Sequence, residues 1–197
     1  MKGRLFYIVG PSGSGKDSLI DYARPRVPAR VHFATRTITR PASAGGERHT
    51  GVTLRAFEAL LAAGAFAMHW RANGHAYGIR RDIVDWLLEG RTVVVSGSRE
   101  HLPNALSDYP FLQVVSITAS QEALRARLTA RGREEIDAIE ARLSRAAGLR
   151  LPAGLEAYEI ANDGELDEAG ERLVGLLTSN GTGAGINVNS GPVRRSN

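Results

Sequence analysis

The sequence predicts an α/β fold built on a parallel β-sheet, and three observations carry that prediction. Two apolar runs without alternation, Leu5-Phe6-Tyr7-Ile8-Val9 and Val93-Val94-Val95, read as strands buried on both faces. Stretches of helical pattern separate these runs from each other and from a third at Phe111–Thr118, which is the strand–helix alternation of a parallel sheet. The first run leads straight into Gly10-Pro11-Ser12-Gly13-Ser14-Gly15-Lys16-Asp17-Ser18, after which Ser18–Ala23 is helical in pattern. Strand, Gly-rich turn and helix start form the context that a phosphate-binding loop requires. Glycines let the backbone curl until successive N–H groups face an anion, and the helix N-terminus adds its positive dipole end. Lys16 supplies a mobile full charge for the β- and γ-phosphates. The stretch matches GxxxxGK[ST] up to the last place, where Asp17 stands instead of Ser or Thr.

Along the chain, the first helix is expected to stop near Arg24-Pro25, with Pro28 keeping the connection irregular. Val31–Thr39 is β-branched and reads as one strand carrying Arg36 and leading to Arg40, and Pro41–Gly51 reads as loop. Thr53–Ala63 is a helix capped by Thr53, with Leu54, Phe57, Leu60 and Leu61 on one face. Ala65–Trp70 and His75–Ile79 are short strands around Asn73-Gly74, and Arg81–Glu89 is a helix ended by Gly90. Ser120–Arg150 is helical in pattern and rich in arginine (Arg125, Arg127, Arg131, Arg133, Arg142, Arg145, Arg150), with breaks at Gly132 and Gly148. Tyr158–Asn162 is a last strand and Glu165–Leu177 a closing helix. Ser179–Asn197, rich in Gly, Asn and Ser, has little to bury and reads as a disordered tail.

A chain of 197 residues suits one compact domain with room for a lid or subdomain. It has no cysteine, which excludes disulfides and thiolate chemistry and accords with a cytoplasmic protein. No apolar run is long enough to cross a bilayer, and Met1-Lys2-Gly3-Arg4 runs directly into the first strand, so we expect neither membrane association nor a leader. The formal charge is +4 and arginine dominates the cations, a balance that suits phosphorylated partners. No basic stripe interleaved with aromatics and no nucleic-acid motif is present, so small polyphosphates rather than nucleic acid are the expected anions.

Several stretches together resemble the guanylate kinase group of nucleoside monophosphate kinases: Gly10–Ser18, Thr39-Arg40-Pro41 with Glu47, Phe66–Gly78 with Trp70 and Tyr77-Gly78, Arg127-Leu128, Arg131-Gly132, Arg142-Leu143 and Asn162-Asp163. This resemblance implies the three-layer fold of P-loop NTPases over residues 1–180, with a small acceptor-binding subdomain at about 36–90, a helical lid at about 120–150 and the tail at 181–197. The departures bear on the substrate. Where guanylate kinases carry a guanine-reading Glu before the Trp, this chain has His69; after Tyr-Gly it has Ile79; after its central strand it has Ser96-Gly97-Ser98-Arg99 instead of Ile-Asp. A site built on hydrogen bonds discriminates strongly once a partner is gone, so the departures imply that GMP is not the expected acceptor. A narrower family shares these departures. The phosphate loop ending Lys16-Asp17, Thr39-Arg40-Pro41 with Ala44-Gly45-Gly46-Glu47, His69-Trp70-Arg71-Ala72-Asn73-Gly74 and Arg131-Gly132-Arg133-Glu134 resemble the ribose 1,5-bisphosphate phosphokinases. Those enzymes form 5-phospho-α-D-ribose 1-diphosphate from ATP in phosphonate degradation.

The resemblance implies ATP as co-substrate, held by Gly10, Pro11, Ser12, Gly13, Ser14, Gly15, Lys16, Asp17 and Ser18, with Asn162 and Asp163 near the adenine. A phosphate acceptor is already ionised near neutral pH, so catalysis reduces to positioning and charge neutralisation. Lys16, Arg127, Arg131 and Arg142 are the expected catalytic cations, the last three closing over the transferring group. Arg36 and Arg40, two strand periods apart, point the same way and are expected to clamp an acceptor phosphate; the competing reading is an exposed strand face. His69 and Arg71 replace a guanine-reading surface with donors, although His69 equally fits a histidine packed beside Trp70. For Tyr77 a phosphate contact and plain packing both stand, and for Glu47 loop organisation through Arg40 and a surface carboxylate both stand. Asp17 is the expected Mg²⁺ ligand, since the hydroxyl normally found there ligates magnesium and no acidic residue follows Val93-Val94-Val95; the competing reading is a helix cap facing solvent. A kinase acting on the sugar bisphosphate, a nucleoside monophosphate kinase of altered base choice and a non-catalytic interaction module of the same fold are the function classes considered. Retention of Lys16 and the lid arginines disfavours the third. Monomer and homodimer both remain open.

Overall fold

The computed structural model describes residues 3–41, 48–130, 132, 137, 139–141, 143–144 and 151–179. Strand β1 (Arg4–Val9) lies at the centre of a five-stranded parallel sheet of order β2-β7-β1-β8-β9, with β2 at Val31–Phe33, β7 at Thr92–Ser96, β8 at Gln113–Thr118 and β9 at Ala157–Ala161. The unbroken apolar character of β1 follows from this position, because its successive side chains enter two different cores. Phe6 and Ile8 point to one face, where they meet Leu19, Ile20 and Ala23 of α1 (Lys16–Ala23) and Ala169, Leu173 and Leu177 of the closing helix α6 (Leu166–Thr178). Leu5, Tyr7 and Val9 point to the other, with Ile83 and Leu87 of α3 (Asp82–Leu88) and Leu102 and Ala105 of α4 (Leu102–Asp108). Helices on both faces of a parallel sheet complete the expected three layers.

A second sheet of order β4-β3-β6-β5 is built from β3 (Arg36–Ile38), β4 (His49–Gly51), β5 (Phe66–Ala72) and β6 (His75–Arg80). One of its faces, through Ile38, Met68, Trp70, Tyr77 and Ile79, joins the core of Leu5, Tyr7 and Val9. Its other face carries Phe66 and Ala76 against Phe57 of α2 (Leu54–Ala62). The β5–β6 hairpin turns at Asn73 (φ 49°) and Gly74 (φ 74°), the left-handed pair that a tight two-residue hairpin requires. Thr53 caps α2 by accepting from the Ala56 N–H, as its sequence predicts.

Three expectations need correction. Val31–Thr39 is not one strand. The Ala34 N–H still donates to Val94 O at 2.9 Å, but beyond Thr35 the chain leaves the parallel sheet and pairs with β6 in the second one. His49–Gly51, read as loop, pairs with β3 as a short parallel strand, and Leu102–Asp108 is a helix that the pattern did not reveal. Leu54, assigned to the buried face of α2, is 54% exposed, and Phe57 is the residue of that helix that is buried. Within Ser120–Arg150, α5 spans Gln121–Ala130, and Leu124 and Leu128 pack with Ile139 and Leu143 in a separate small cluster. Arg131, Arg133, Arg142, Arg145, Arg150, Gly148, Glu47 and the tail from 180 onward lie outside the described residues.

Candidate active site

The phosphate loop leaves β1 at Gly10 and enters α1 at Lys16. Two of its glycines adopt positive φ, 90° at Gly13 and 81° at Gly15, and each is also hemmed in. A Cβ on Gly13 would lie 3.3 Å from Leu128 of α5, and one on Gly15 would strike the Asn162 amide. Gly15 occupies the N-cap of α1 without a side-chain hydrogen bond to the helix, so the first-turn N–H groups face the loop as an anion-binding end. Ser14 is fully buried, its N–H donating to Pro11 O at 3.1 Å, whereas Ser12 and Ser18 are exposed at the rim.

Asp17 does not cap the helix; Gly15 holds that place. Instead its carboxylate turns across the end of the parallel sheet. Oδ1 accepts from Arg36 Nη2 at 3.0 Å and from Ser96 Oγ at 3.1 Å, while Oδ2 lies 3.7 Å from Lys16 Nζ. Burial alone would push the Asp17 carboxyl up, but the charges of Lys16 and Arg36 and the hydrogen bonds from Arg36 and Ser96 outweigh it and hold the group below the usual carboxylate range. Ser96 ends β7, the position where the sequence showed no acidic residue, and its partnership with Asp17 was not legible in the pattern. Beside this network an open cleft includes Asp17, Asp21, Arg24, Arg36, Arg48 and Ser96 in its walls. Arg36 is 8% exposed and Lys16's side chain 14%, so both cations are presented by packed surroundings.

The phosphate loop is tied down from the far end of the chain. Asn162 donates from Nδ2 to Ser14 O at 2.7 Å and is itself 2% exposed. Its neighbour Asp163 accepts the Ser120 N–H at 2.6 Å, which lowers the Asp163 carboxyl and pins the start of α5. Arg127 of α5 approaches the same place, its Nη1 lying 3.9 Å from where a Gly15 Cβ would be. Asn162 Oδ1 and Arg127 Nη1 are buried atoms without a hydrogen-bond partner, and both side chains reach Gly15, so a polar ligand fits there; Ser14 Oγ, a third such atom, lies beside Gly10 instead.

The second sheet divides the expected acceptor residues. Arg36 pairs with Ile79 and Ile38 with Tyr77, so Arg36 and Tyr77 share the face directed at the core and the phosphate loop. Tyr77 stacks on Trp70 at 5.4 Å, and Trp70 stacks on the buried His101 at 5.2 Å. β3 ends at Ile38, so strand alternation does not extend to Arg40, which follows the strand and whose carbonyl oxygen contacts His49 Nε2 at 3.2 Å. His69 and Arg71 alternate to the opposite face: Arg71 is exposed and pairs with Glu58 of α2, and His69 is exposed beside it. The structure therefore gathers Lys16, Asp17, Arg36 and Ser96 at one point, sets Tyr77 on the same sheet face as Arg36, and does not bring Arg71 there.

No protein-family model matches the chain. Among curated proteins it is 51% identical over 180 residues to ribose 1,5-bisphosphate phosphokinase PhnN of Thiobacillus denitrificans, covering 90% of this chain and 94% of that one. The chain belongs to the ribose 1,5-bisphosphate phosphokinase family. A second member, from Azotobacter vinelandii, is 50% identical over 178 residues, covering 90% of this chain and 97% of the relative. Among solved structures, guanylate kinase from Anaplasma phagocytophilum superposes with a TM-score of 0.67 at 20% identity, covering 89% of this chain and 84% of that chain. That likeness places the family member in the guanylate kinase-like P-loop fold, as its motifs imply.

Proposed function

We propose that this protein is an ATP-dependent kinase that phosphorylates ribose 1,5-bisphosphate, yielding ADP and 5-phospho-α-D-ribose 1-diphosphate, in the cytoplasm and in the service of phosphonate catabolism. The observation that carries this reading is kinship at about half identity over nearly the whole length of relatives named for that activity. The site supports it independently of the names. The acceptor oxygen belongs to a phosphate, ionised without help, so cationic positioning rather than a strong base is what the reaction needs. Lys16 and the first-turn N–H groups of α1 hold the β- and γ-phosphates of ATP, and Asn162 fixes the loop from behind. Arg127 reaches the same space from α5 and stabilises charge on the transferring group; Arg131 and Arg142, outside the described residues, are assigned the same role by their motifs alone. Arg36 holds an acceptor phosphate from the second sheet, with Tyr77 on the same face and Arg40 and Glu47 on the following segment. His69 lines the outer edge of the acceptor subdomain.

Magnesium is the companion of ATP in this chemistry, where it neutralises charge on the β- and γ-phosphates. The donors present fit it. The Asp17 carboxylate and the Ser96 hydroxyl would offer hard oxygen donors side by side at the phosphate loop, with Asp17 at present shared by Lys16 and Arg36. Among the described residues no group of three or more His, Cys, Asp or Glu is gathered, so phosphate oxygens and water would complete the shell. The test is incubation with Mg-ATP and a panel of acceptors, followed by phosphorus NMR of the products. The diphosphate should form from ribose 1,5-bisphosphate and hardly anything from GMP. Fast, saturable phosphorylation of GMP with none of the sugar bisphosphate overturns the reading.

A further inference from the structure

The Asp17–Arg36 pair joins the two sheets. Asp17 stands on α1, at the end of the parallel sheet, and Arg36 on β3 of the second sheet. Both carboxylate oxygens of Asp17 are engaged. Oδ1 takes hydrogen bonds from Arg36 and Ser96, and Oδ2 faces Lys16. A divalent cation at this carboxylate must therefore meet two cations already beside it, and it gains Oδ1 in full only if Arg36 withdraws. Arg36 in turn lines the open cleft beside Asp17 and shares the sheet face of Tyr77, the face on which the proposed acceptor phosphate is held. A phosphate dianion offers the guanidinium a paired, charge-assisted alternative to a single contact with Asp17.

We propose that Arg36 is a specificity-determining residue that ties metal binding at Asp17 to the arrival of a phosphorylated acceptor. In the empty protein Arg36 neutralises Asp17 and opposes the metal. An acceptor phosphate draws Arg36 to itself and leaves Asp17 to the metal, while Ser96 keeps the carboxylate oriented. An acceptor without a phosphate has nothing to attract Arg36 and leaves the metal site opposed. Because such coupling is reciprocal, the metal–nucleotide complex must tighten the acceptor by the same factor. This inference rests on the proposed acceptor class and on Asp17 as a metal ligand.

The test is calorimetric titration of Mg²⁺ into the full chain with a non-hydrolysable ATP analogue, with and without acceptor. The acceptor used is whichever phosphorylated compound the panel shows to be turned over. Failure of ribose 1,5-bisphosphate as substrate thus strikes that assignment alone. In the wild type the acceptor should tighten Mg²⁺ binding by about tenfold, in the usual range of coupling between sites. In Arg36→Gln, metal affinity without acceptor should already match the acceptor-bound wild type, with no further gain on saturating acceptor. Arg36→Lys, which keeps the charge but not the fork, should retain a reduced coupling, and it serves if the Gln variant does not fold. Asp17→Asn should weaken Mg²⁺ binding and abolish the coupling while acceptor binding survives. Unchanged metal affinity on acceptor addition in the wild type, or full coupling in Arg36→Gln, overturns the proposal.

Discussion

The side-chain amide of Asn162 donates to the main-chain carbonyl of Ser14 over 2.7 Å, so the residue after the last strand sets the shape of the loop after the first. Asn162→Ala should leave that buried carbonyl unpaired and cost about 1–3 kcal/mol in urea-induced unfolding. Kinetically it should raise KM for ATP several-fold and leave KM for the acceptor nearly unchanged. An effect confined to the acceptor would remove Asn162 from the nucleotide side.

Lys16 and Arg127 should separate binding from chemistry. Lys16→Ala should lower turnover by at least about a thousandfold, because charge neutralisation carries most of phosphoryl transfer. The fold should nonetheless survive, because Asp17 keeps its hydrogen bonds from Arg36 and Ser96. Arg127→Ala should lower kcat more than it raises KM, the pattern of a contact strongest in the transition state. A pure KM effect for ATP would make Arg127 a binding residue only.

Gly97 has a structural reason. A Cβ there would collide with the Tyr7 ring, and the Tyr7 hydroxyl accepts the Ser98 N–H at 3.1 Å. Gly97→Ala should therefore destabilise the fold by about 1–3 kcal/mol or more, as overpacking does. Gly97→Ala with Tyr7→Leu should recover part of that loss in thermal melts, whereas additive losses would show that the two do not interact.

Burial pushes the Tyr7 hydroxyl up to about 12, against the opposing hydrogen bond with Ser98 and the charge of Arg36. Its folded value exceeds its unfolded value of 10.0, so its contribution is complete below pH 10 and is lost as pH rises towards 12. Melting temperature should fall across that window, and fall less in Tyr7→Phe.

On the acid side, burial lowers both His32 and His101, helped at His32 by Arg91 and at His101 by His69. Arg91 Nη1 lies 2.8 Å from His32 Nε2, which accepts from it and so carries no proton there. Unfolded histidines near 6.5 bind protons that the folded ones refuse, so stability should drop as pH falls below that value. The slope of stability against pH between about 7 and 5 should be shallower in His101→Gln.

Much of this fold was legible because β1 and β7 are buried on both faces, which forces continuous apolar runs, and because a phosphate loop needs glycine at positions with positive φ. Asn73-Gly74 announced its hairpin for the same conformational reason. What stayed hidden were relations between distant segments. Nothing local marks Ser96 as the partner of Asp17, since a short hydroxyl at a strand end is common and the pairing arises only when β7 and α1 meet. The split between β2 and β3 escaped because both segments carry strand-favouring residues, Val31 and Phe33 in one and Thr37 and Ile38 in the other, and propensity does not say which sheet a strand joins. Arg71 was misplaced by neighbourhood in sequence: next to Trp70 along the chain, it lies on the other side of the sheet. The α4 helix, only seven residues long and starting beside a proline, offered too little periodicity to read.

The passage of the chain from the first sheet to the second takes two residues, Ala34 and Thr35. Side chains of a strand alternate between faces, so sliding β3 by one residue against β6 would send position 36 to the side occupied by Phe57 and out of reach of Asp17. Sliding it by two would restore the facing but carry the guanidinium away by about 7 Å. A relative with one codon inserted between Phe33 and Arg36 could thus keep every residue of the site and lose the site itself. The Asp17–Arg36 contact depends on that spacing as much as on the arginine itself, and comparing residue identities alone would miss it.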